Sequence, residues 1–269
     1  MDSRKLERIV ILILLLLNVF LLAVALSDNI QTRRSNAATA ASLTALLEEN
    51  GFSVADGAIR IRTAPPKCTL TRDLQTEQQL VSRLIGTCTA HDQGGNIISY
   101  SGTRGQSQLR GSGETDVIIE SRAVSMRGGT ERAALRLLRR CGIRAESAES
   151  RNDVEFRIMR DGIPVYNAVL RFDFTGGSYY VMSGTRIFDT AAKEEGTGLL
   201  DSVSVLIRFV ELVRDEGYIC SRIDAVAPGY LMTVTRSGEQ VLTPVWRVET
   251  DTGAIVIDAE SGKTVNGLS

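Results

Sequence analysis

The sequence predicts an α+β fold in which an N-terminal transmembrane helix is followed by repeated units, each built from a helix and an antiparallel sheet. Three observations lead to this prediction: an apolar run near the N-terminus, a helix-ending motif that occurs three times, and an internal duplication in the C-terminal half. We expect a cytoplasmic leader, a transmembrane helix, a stalk, an irregular first α+β unit, and a second and a third unit. Their ranges are residues 1–8, 9–26, 27–38, 39–125, 126–194 and 195–269.

The apolar run extends from Ile9 to Leu26 and is interrupted only by Asn18. About 20 apolar residues in a helix cross a bilayer, and the basic residues before the run favour a cytoplasmic N-terminus. Ala23-Val24-Ala25 also has the small-x-small form of a signal-peptide cleavage site, which is the alternative. With a retained helix or a cleaved signal peptide, the rest of the chain lies outside the cytoplasm. With a retained helix, the protein stays attached to the cell membrane as a single-pass protein.

Asn18 lies near the middle of the run, where its amide gains by hydrogen bonding to another helix. On a 3.6-residue repeat, six apolar residues share its face of the helix. The alternative is that one asparagine is simply tolerated in a very apolar helix. We expect a partner-binding face made of Ile11, Leu14, Leu15, Asn18, Leu21, Leu22 and Ala25.

Composition excludes several classes of function. The formal net charge is −1 and basic and acidic residues are interleaved, so nothing predicts binding of a nucleic acid. Aromatic residues make up only 5% of the chain, which argues against a stacking surface for sugars or bases.

Four cysteines lie in the part of the chain that we expect to be exported: Cys68, Cys88, Cys141 and Cys220. Disulfides are chemically permitted there, and Cys68–Cys88 with Cys141–Cys220 is one of three possible pairings. Free, buried cysteines are the alternative. Because no C-x-x-C spacing occurs, the sequence predicts neither a zinc site nor thioredoxin-like chemistry, and we expect no metal or other cofactor.

A helix-ending motif occurs three times: two adjacent aliphatic residues, three mostly polar residues, glycine, and a large apolar residue. The glycine adopts the left-handed conformation after the last helical turn, and the apolar residue folds back onto the aliphatic pair. Three such endings indicate a repeated unit. They end at Gly51-Phe52, Gly142-Ile143 and Gly217-Tyr218.

An internal duplication follows the second and third endings. Gly162 aligns with Gly238 and Gly177 with Gly253 at a constant offset of 76 residues, without a gap. The glycines separate runs of β-branched and aromatic residues, so each copy predicts a three-stranded antiparallel meander after its helix. We expect strands at Val154–Arg160, Pro164–Phe174 and Ser178–Phe188, and at Ile223–Thr235, Gln240–Thr250 and Ala254–Ala259.

The first unit follows this pattern less closely. Its candidates are a helix at Thr39–Gly51, a strand at Ala58–Arg62, a helix at Arg72–Ile85 and weak, glycine-rich strands within Asn96–Glu120. We therefore expect an elaborated version of the same unit.

No residue pattern predicts catalysis. His91 is the single histidine, it lies in a turn-like, glycine-rich stretch, and no nucleophile motif accompanies it. We expect no catalytic residues and no enzyme activity, and no small-molecule substrate is identified.

Two stretches resemble known families. Met1-Asp2, the basic leader and Leu17–Leu22 resemble the start of YycI, the membrane-anchored regulatory protein family of the YycFG (WalKR) two-component system. Pro244–Val248 and the tail Asp258–Lys263 resemble the ending of PepSY-like domains, and YycI and its relative YycH are similarly built.

This resemblance implies a non-enzymatic regulator whose membrane helix and extracytoplasmic domain contact a sensor histidine kinase of the YycG (WalK) type. A YycH-like protein is implied as a further partner, and control of cell-wall homeostasis as the outcome. The alternative is a PepSY-type inhibitory or chaperone-like module for an exported peptidase or hydrolase.

Overall fold

The computed structural model of the protein describes residues 35–148, 154–188 and 190–265. Its helices are α1 (residues 35–49), α2 (Leu74–Ile85), α3 (Thr130–Arg140) and α4 (Ser202–Glu216), with a short 3-10 helix at Ser121–Ala123. Its strands are β1 (Ser53–Val54), β2 (Lys67–Thr71), β3 (Cys88–Asp92), β4 (Ile97–Gly102), β5 (Gly105–Arg110), β6 (Glu114–Glu120), β7 (Ala145–Ser147), β8 (Val154–Arg160), β9 (Ile163–Asp173), β10 (Tyr179–Thr185), β11 (Thr190–Glu195), β12 (Arg222–Val234), β13 (Gln240–Thr250) and β14 (Gly253–Asp258).

Strands from all three predicted units form one hydrogen-bonded sheet. Its main path runs β11-β2-β13-β12-β9-β10-β6-β5-β4-β3, with β1, β14, β7 and β8 paired beside it. Strand β6 of the first unit pairs with β10 of the second along seven residues, and β2 pairs with both β11 and β13. A parallel contact between Val165 and Tyr230 joins β9 to β12.

The predicted fold class, α+β with repeated helix-plus-sheet units behind a transmembrane helix, is therefore wrong. The structure is mostly sheet, and the meanders join instead of standing as separate layers. The physical reason is that the edge of a three-stranded meander carries unpaired backbone groups, which are satisfied when another strand pairs with them. The boundaries at residues 125/126 and 194/195 stay predictions.

The transmembrane part of that fold class is not found either. Among the residues that the structure describes, none of the helices combines the length and the apolar character needed to cross a membrane. The predicted span, residues 9–26, lies outside the described residues, and so does the predicted partner-binding face.

The two duplicated meanders are confirmed as local structure. In the first copy β8, β9 and β10 are antiparallel neighbours, and in the second copy β12, β13 and β14 are. The turns at Gly162 and Gly238 both have positive φ, 81° and 84°, as the shared glycine predicted. One strand candidate of the first unit is wrong: residues 58–62 form no strand, because pairing with β12 ends at β1 and the chain turns at Gly57.

The three helix endings are also confirmed. Gly51, Gly142 and Gly217 have φ of 88°, 79° and 72°. At the first ending Phe52 N–H donates to the Leu47 carbonyl at 3.0 Å, which closes the last turn as expected.

Two main cores lie against the sheet. The larger core packs α2 and α3 against β4, β5, β6, β8, β9 and β10. The second core packs α1 and α4 against β12, β13 and β14, with the Phe52 and Phe209 rings 5.6 Å apart.

Helix α1 therefore belongs to the C-terminal core, and β1 continues this contact by pairing in parallel with β12. Trp246 is fully buried in this core and donates to the Leu200 carbonyl at 2.9 Å.

Candidate functional site

A buried cluster of charged and polar side chains lies between α2 and the sheet. We call it the Glu77 cluster and define it as Arg72, Glu77, Tyr100 and Arg186. Helix α2 positions Glu77: the Asp73 side chain caps the helix by accepting from Gln75 N–H at 3.0 Å. Glu77 then lies one turn before Leu80 on the buried face of the helix, with 2% of its surface exposed.

Three side chains donate to the Glu77 carboxylate. Arg72 makes a two-pronged contact, with Nε 2.9 Å from Oε2 and Nη2 2.6 Å from Oε1. The Tyr100 hydroxyl donates to Oε1 at 2.9 Å, and Arg186 Nη2 donates to Oε2. A carboxylate this buried requires such partners, because an unpaired charge in a core is strongly destabilising.

Gln240 connects this cluster to the C-terminal meander. Its side chain is fully buried. Its Oε1 accepts from Phe188 N–H at 2.7 Å, and its Nε2 donates to the carbonyls of Arg186 at 3.0 Å and Ser112 at 3.3 Å. Hydrogen bonds therefore link α2, the segment after β10, and the start of β13.

Two guanidinium groups, those of Arg72 and Arg186, share the Glu77 carboxylate. Burial, and then the hydrogen bond to Glu77, raise the pKa of Tyr100 well above its ordinary value. Because Glu77 and Tyr100 are 2% and 1% exposed, neither reaches a substrate at the surface, and the arrangement is suited to holding segments together rather than to acid–base chemistry.

The four predicted disulfide cysteines all lie within the described residues, and each is a thiol. Only Cys68 and Cys141 are buried, and the disulfide pairing stays a prediction. Cys141 Sγ lies 4.0 Å from the Leu80 carbonyl in the larger core, whereas Cys220 packs against the second core, so the structure does not bring these two together. Cys68 is buried on β2, and Cys88 is half-buried at the start of β3.

His91 lies on β3 and is exposed, 3.4 Å from the Thr89 hydroxyl. Within the part of the chain that the structure describes, no group of three or more histidine, cysteine, aspartate or glutamate side chains could hold a metal ion.

Sequence reasoning missed the Glu77 cluster. The one available signal was an acidic residue on the apolar face of a predicted helix, since Glu77 has the helical spacing of Leu80, Val81 and Leu84. Nothing in the sequence indicated that Arg186, 109 residues later, would be its partner.

The comparisons with known proteins find limited similarity. No protein-family model and no curated protein match the chain. A solved structure of an uncharacterized protein from Eubacterium rectale ATCC 33656 is 13% identical, with 80% of this chain and 90% of that chain covered and a TM-score of 0.40. The YpeB C-terminal domain of Bacillus megaterium is 10% identical, with 72% and 96% covered and a TM-score of 0.35. Neither supports a conclusion about activity or partners, and the YycI resemblance stays a prediction.

Proposed function

We propose that this chain is a non-enzymatic regulator of a sensor histidine kinase, attached to the cell membrane by its N-terminal apolar run. Its N-terminus lies in the cytoplasm and its folded body outside. The proposed partner is a kinase of the YycG (WalK) type, with a YycH-like protein as a further partner and cell-wall homeostasis as the process controlled. The sequence resemblance of Leu17–Leu22 and of the C-terminal tail supports this choice of partner.

One structural observation carries the proposal: the helix nearest the apolar run is built into the C-terminal core. Leu43 and Leu47 of α1 are 5% and 0% exposed and pack with Phe209 and other residues of α4. Where α1 and α4 end, Asn50 Oδ1 accepts a hydrogen bond from Arg214 Nη2 at 3.0 Å. A displacement of the body would therefore move α1, and with it the chain entering the membrane.

The regulator changes kinase output only if it binds one state of the kinase more tightly than the other. The Asn18 face, with its amide among aliphatic side chains, is the proposed contact within the membrane. The body would supply the second contact outside, and α1 would connect the two.

Replacing Asn18 with leucine tests this contact directly. Leu16→Ile is the matched control, because Leu16 lies on the opposite side of a 3.6-residue repeat. We expect Asn18→Leu to lower both co-purification with the kinase and the response of its target genes, and Leu16→Ile to leave both unchanged. Equal values for the wild type and Asn18→Leu would remove this face from the account.

A further inference from the structure

The outward side of helix α3 carries a stripe of four arginines, which we call the arginine face. Their spacing of i, i+4, i+7 and i+8 places them on one side of a helix that has 3.6 residues per turn. All four side chains are exposed, whereas the opposite side of α3 packs into the larger core through buried alanines and leucines. The arginine face consists of Arg132, Arg136, Arg139 and Arg140.

The positive charge continues beyond this helix. Residues 127–144 contain six arginines, no lysine and a single carboxylate. Arg127 precedes α3 and Arg144 follows it, and both are exposed. Arg83 of α2 adds to them, because its Nη1 lies 3.9 Å from the place that a Cβ on Gly142 would occupy. The surface around α3 is therefore strongly basic, although the whole chain has a formal net charge of −1.

The charge of the arginine face is available to a partner. In the part of the chain that the structure describes, none of its four arginines forms an ion pair with a carboxylate. Arg136 Nη2 donates to the Ser125 carbonyl, which is a neutral acceptor and leaves the positive charge uncompensated.

The stability of α3 does not explain this arrangement. The helix dipole favours Arg139 and Arg140 in the last turn, but it disfavours Arg132 in the first. Arg136 also lies four residues from both Arg132 and Arg140, and like charges at this spacing repel each other. Local features that oppose stability are typical of functional surfaces.

The composition of this surface distinguishes between kinds of partner. The centre of a protein–protein interface usually contains aromatic or other large apolar side chains. Among the described residues, no large hydrophobic side chain of α3 is exposed, since its leucines face the core. Guanidinium groups without an apolar centre match a layer of phosphate groups, to which arginine donates paired hydrogen bonds.

We propose that the arginine face binds the anionic phospholipid head groups of the membrane to which the chain is attached. The inference rests on the membrane attachment in the proposed function. Residues 27–34 separate the predicted span from α1, and a chain of this length reaches at most about 29 Å when fully extended. A body held this close to the bilayer gains a second, electrostatic attachment through α3, which sets its orientation.

Arginine footprinting of the full-length chain tests this contact. The chain is incorporated into nanodiscs of phosphatidylcholine alone and of an equimolar mixture of phosphatidylcholine and phosphatidylglycerol. Phenylglyoxal then modifies accessible arginines, and mass spectrometry measures the rate at each site. One arginine near an anionic surface changes a binding equilibrium by about fivefold. We therefore expect the arginine face to react about fivefold more slowly, or slower still, in the anionic discs.

Two internal controls accompany this measurement. Arg236 is exposed on the β12–β13 turn, far along the chain from α3, and should react equally in both discs. Sodium chloride at about 1 M shortens the screening length to about 3 Å and should abolish the protection of the arginine face. Equal rates in the two kinds of disc, or protection that persists at high salt, would overturn the proposal.

A double variant locates the contact on α3. Arg132→Gln with Arg139→Gln should reduce the protection of the remaining Arg136 and Arg140. Both replaced side chains are exposed and glutamine is a good helix former, so the fold should be kept, which circular dichroism checks. Arg236→Gln is the matched control and should leave the protection unchanged. Full protection of Arg136 and Arg140 in the double variant would contradict the assignment.

Two further outcomes separate this inference from other accounts. Protection by polyglutamate in neutral discs, without protection in anionic discs, would overturn the lipid proposal in favour of an acidic protein. Incorporation into neutral discs reports on the anchor alone. A chain that enters neutral discs but shows no protection in anionic discs would overturn this inference and leave the proposed function standing. A chain that does not enter neutral discs, yet is protected by anionic discs in a salt-dependent way, would contradict the anchor and support the arginine face.

Discussion

Glu77 and Arg186 form an ion pair across 109 residues of sequence, and their side chains are 1% and 4% exposed. The pair joins helix α2 to the segment that follows β10. Through Arg186 it also reaches Gln240 and the C-terminal meander. A contact of this kind contributes mainly by lowering the cost of buried charge, because removing one partner leaves the other with fewer compensating groups around it.

We predict that Glu77→Gln destabilises the protein by about 3–5 kcal/mol, since Arg72 and Arg186 would lose their shared carboxylate. The free energy of unfolding in urea measures the effect. The matched control is Glu114→Gln, which removes an exposed pair with Arg110 and should cost less than about 1 kcal/mol. Equal losses in the two variants would show that the buried pair has no special role.

Neighbouring leucines of α1 test whether this helix belongs to the C-terminal core. Leu47 is fully buried and Leu46 is 40% exposed. Leu47→Ala should lower the free energy of unfolding by about 2–5 kcal/mol, while Leu46→Ala should change it by about 0.5 kcal/mol or less. Hydrogen exchange at α4 and β12 should accelerate only in Leu47→Ala, and unchanged protection there would contradict the packing.

Gly229 allows the close approach of the two meanders. A Cβ at this position would lie 2.1 Å from Cε2 of Tyr166, whose ring also contacts the Arg157 and Arg247 guanidinium groups at 5.4 Å each. We predict that Gly229→Ala costs about 1–3 kcal/mol of stability, because the buried ring has to move. Gly177→Ala, where a Cβ meets nothing within 4 Å, is the control and should leave the thermal midpoint nearly unchanged. A Gly229→Ala midpoint equal to that of Gly177→Ala would mean that the ring adjusts freely.

Cys141 gives a pH dependence with a definite sign. Burial raises the pKa of its thiol to about 12, from an ordinary value of 9.0. Above pH 9 the unfolded state loses this proton before the folded state does, so the free energy of unfolding falls with pH until about pH 12. The slope contributed by this thiol approaches about 1.4 kcal/mol per pH unit.

Comparing the wild type with Cys141→Ala isolates this contribution. Urea unfolding at pH 8 and at pH 10.5 should show a smaller loss of stability in the variant than in the wild type. Tyr100, whose pKa is also raised, contributes equally to both proteins. An identical loss in the two proteins would mean that this thiol ionises as easily in the fold as in the unfolded chain.

Local structure was largely predictable from the sequence because its causes are local. Strand β13 has the predicted bounds, and β12 and β14 each differ by one residue at either end, since alternating side chains and glycine turns define them. The ends of α1, α3 and α4 were predictable for the same reason, because a left-handed glycine stops a helix wherever it occurs.

The joining of the strands was not predictable in this way. The pairing of β6 with β10 and of β2 with β13 depends on contacts far apart in sequence, and a period-two pattern does not say which edge a strand will meet. The Glu77 cluster depends on the same joining, because Arg186 follows β10 and contacts Glu77 across 109 residues of sequence. The predicted Asn18 face lies outside the described residues and stays a prediction.

In the proposed function, a body firmly joined to α1 acts through the membrane-attached run on a sensor kinase. The most direct test inserts a flexible Gly/Ser linker between residues 34 and 35 and measures kinase autophosphorylation in vesicles containing both proteins. The linker leaves the contacts of α1 with α4 intact, so the body should remain folded and attached. With the linker inserted, we predict that kinase autophosphorylation equals the level measured in vesicles that contain the kinase without the regulator. Activity equal to that with the unmodified chain would contradict the account, and inhibition of an exported hydrolase by residues 35–269 alone would favour the alternative function.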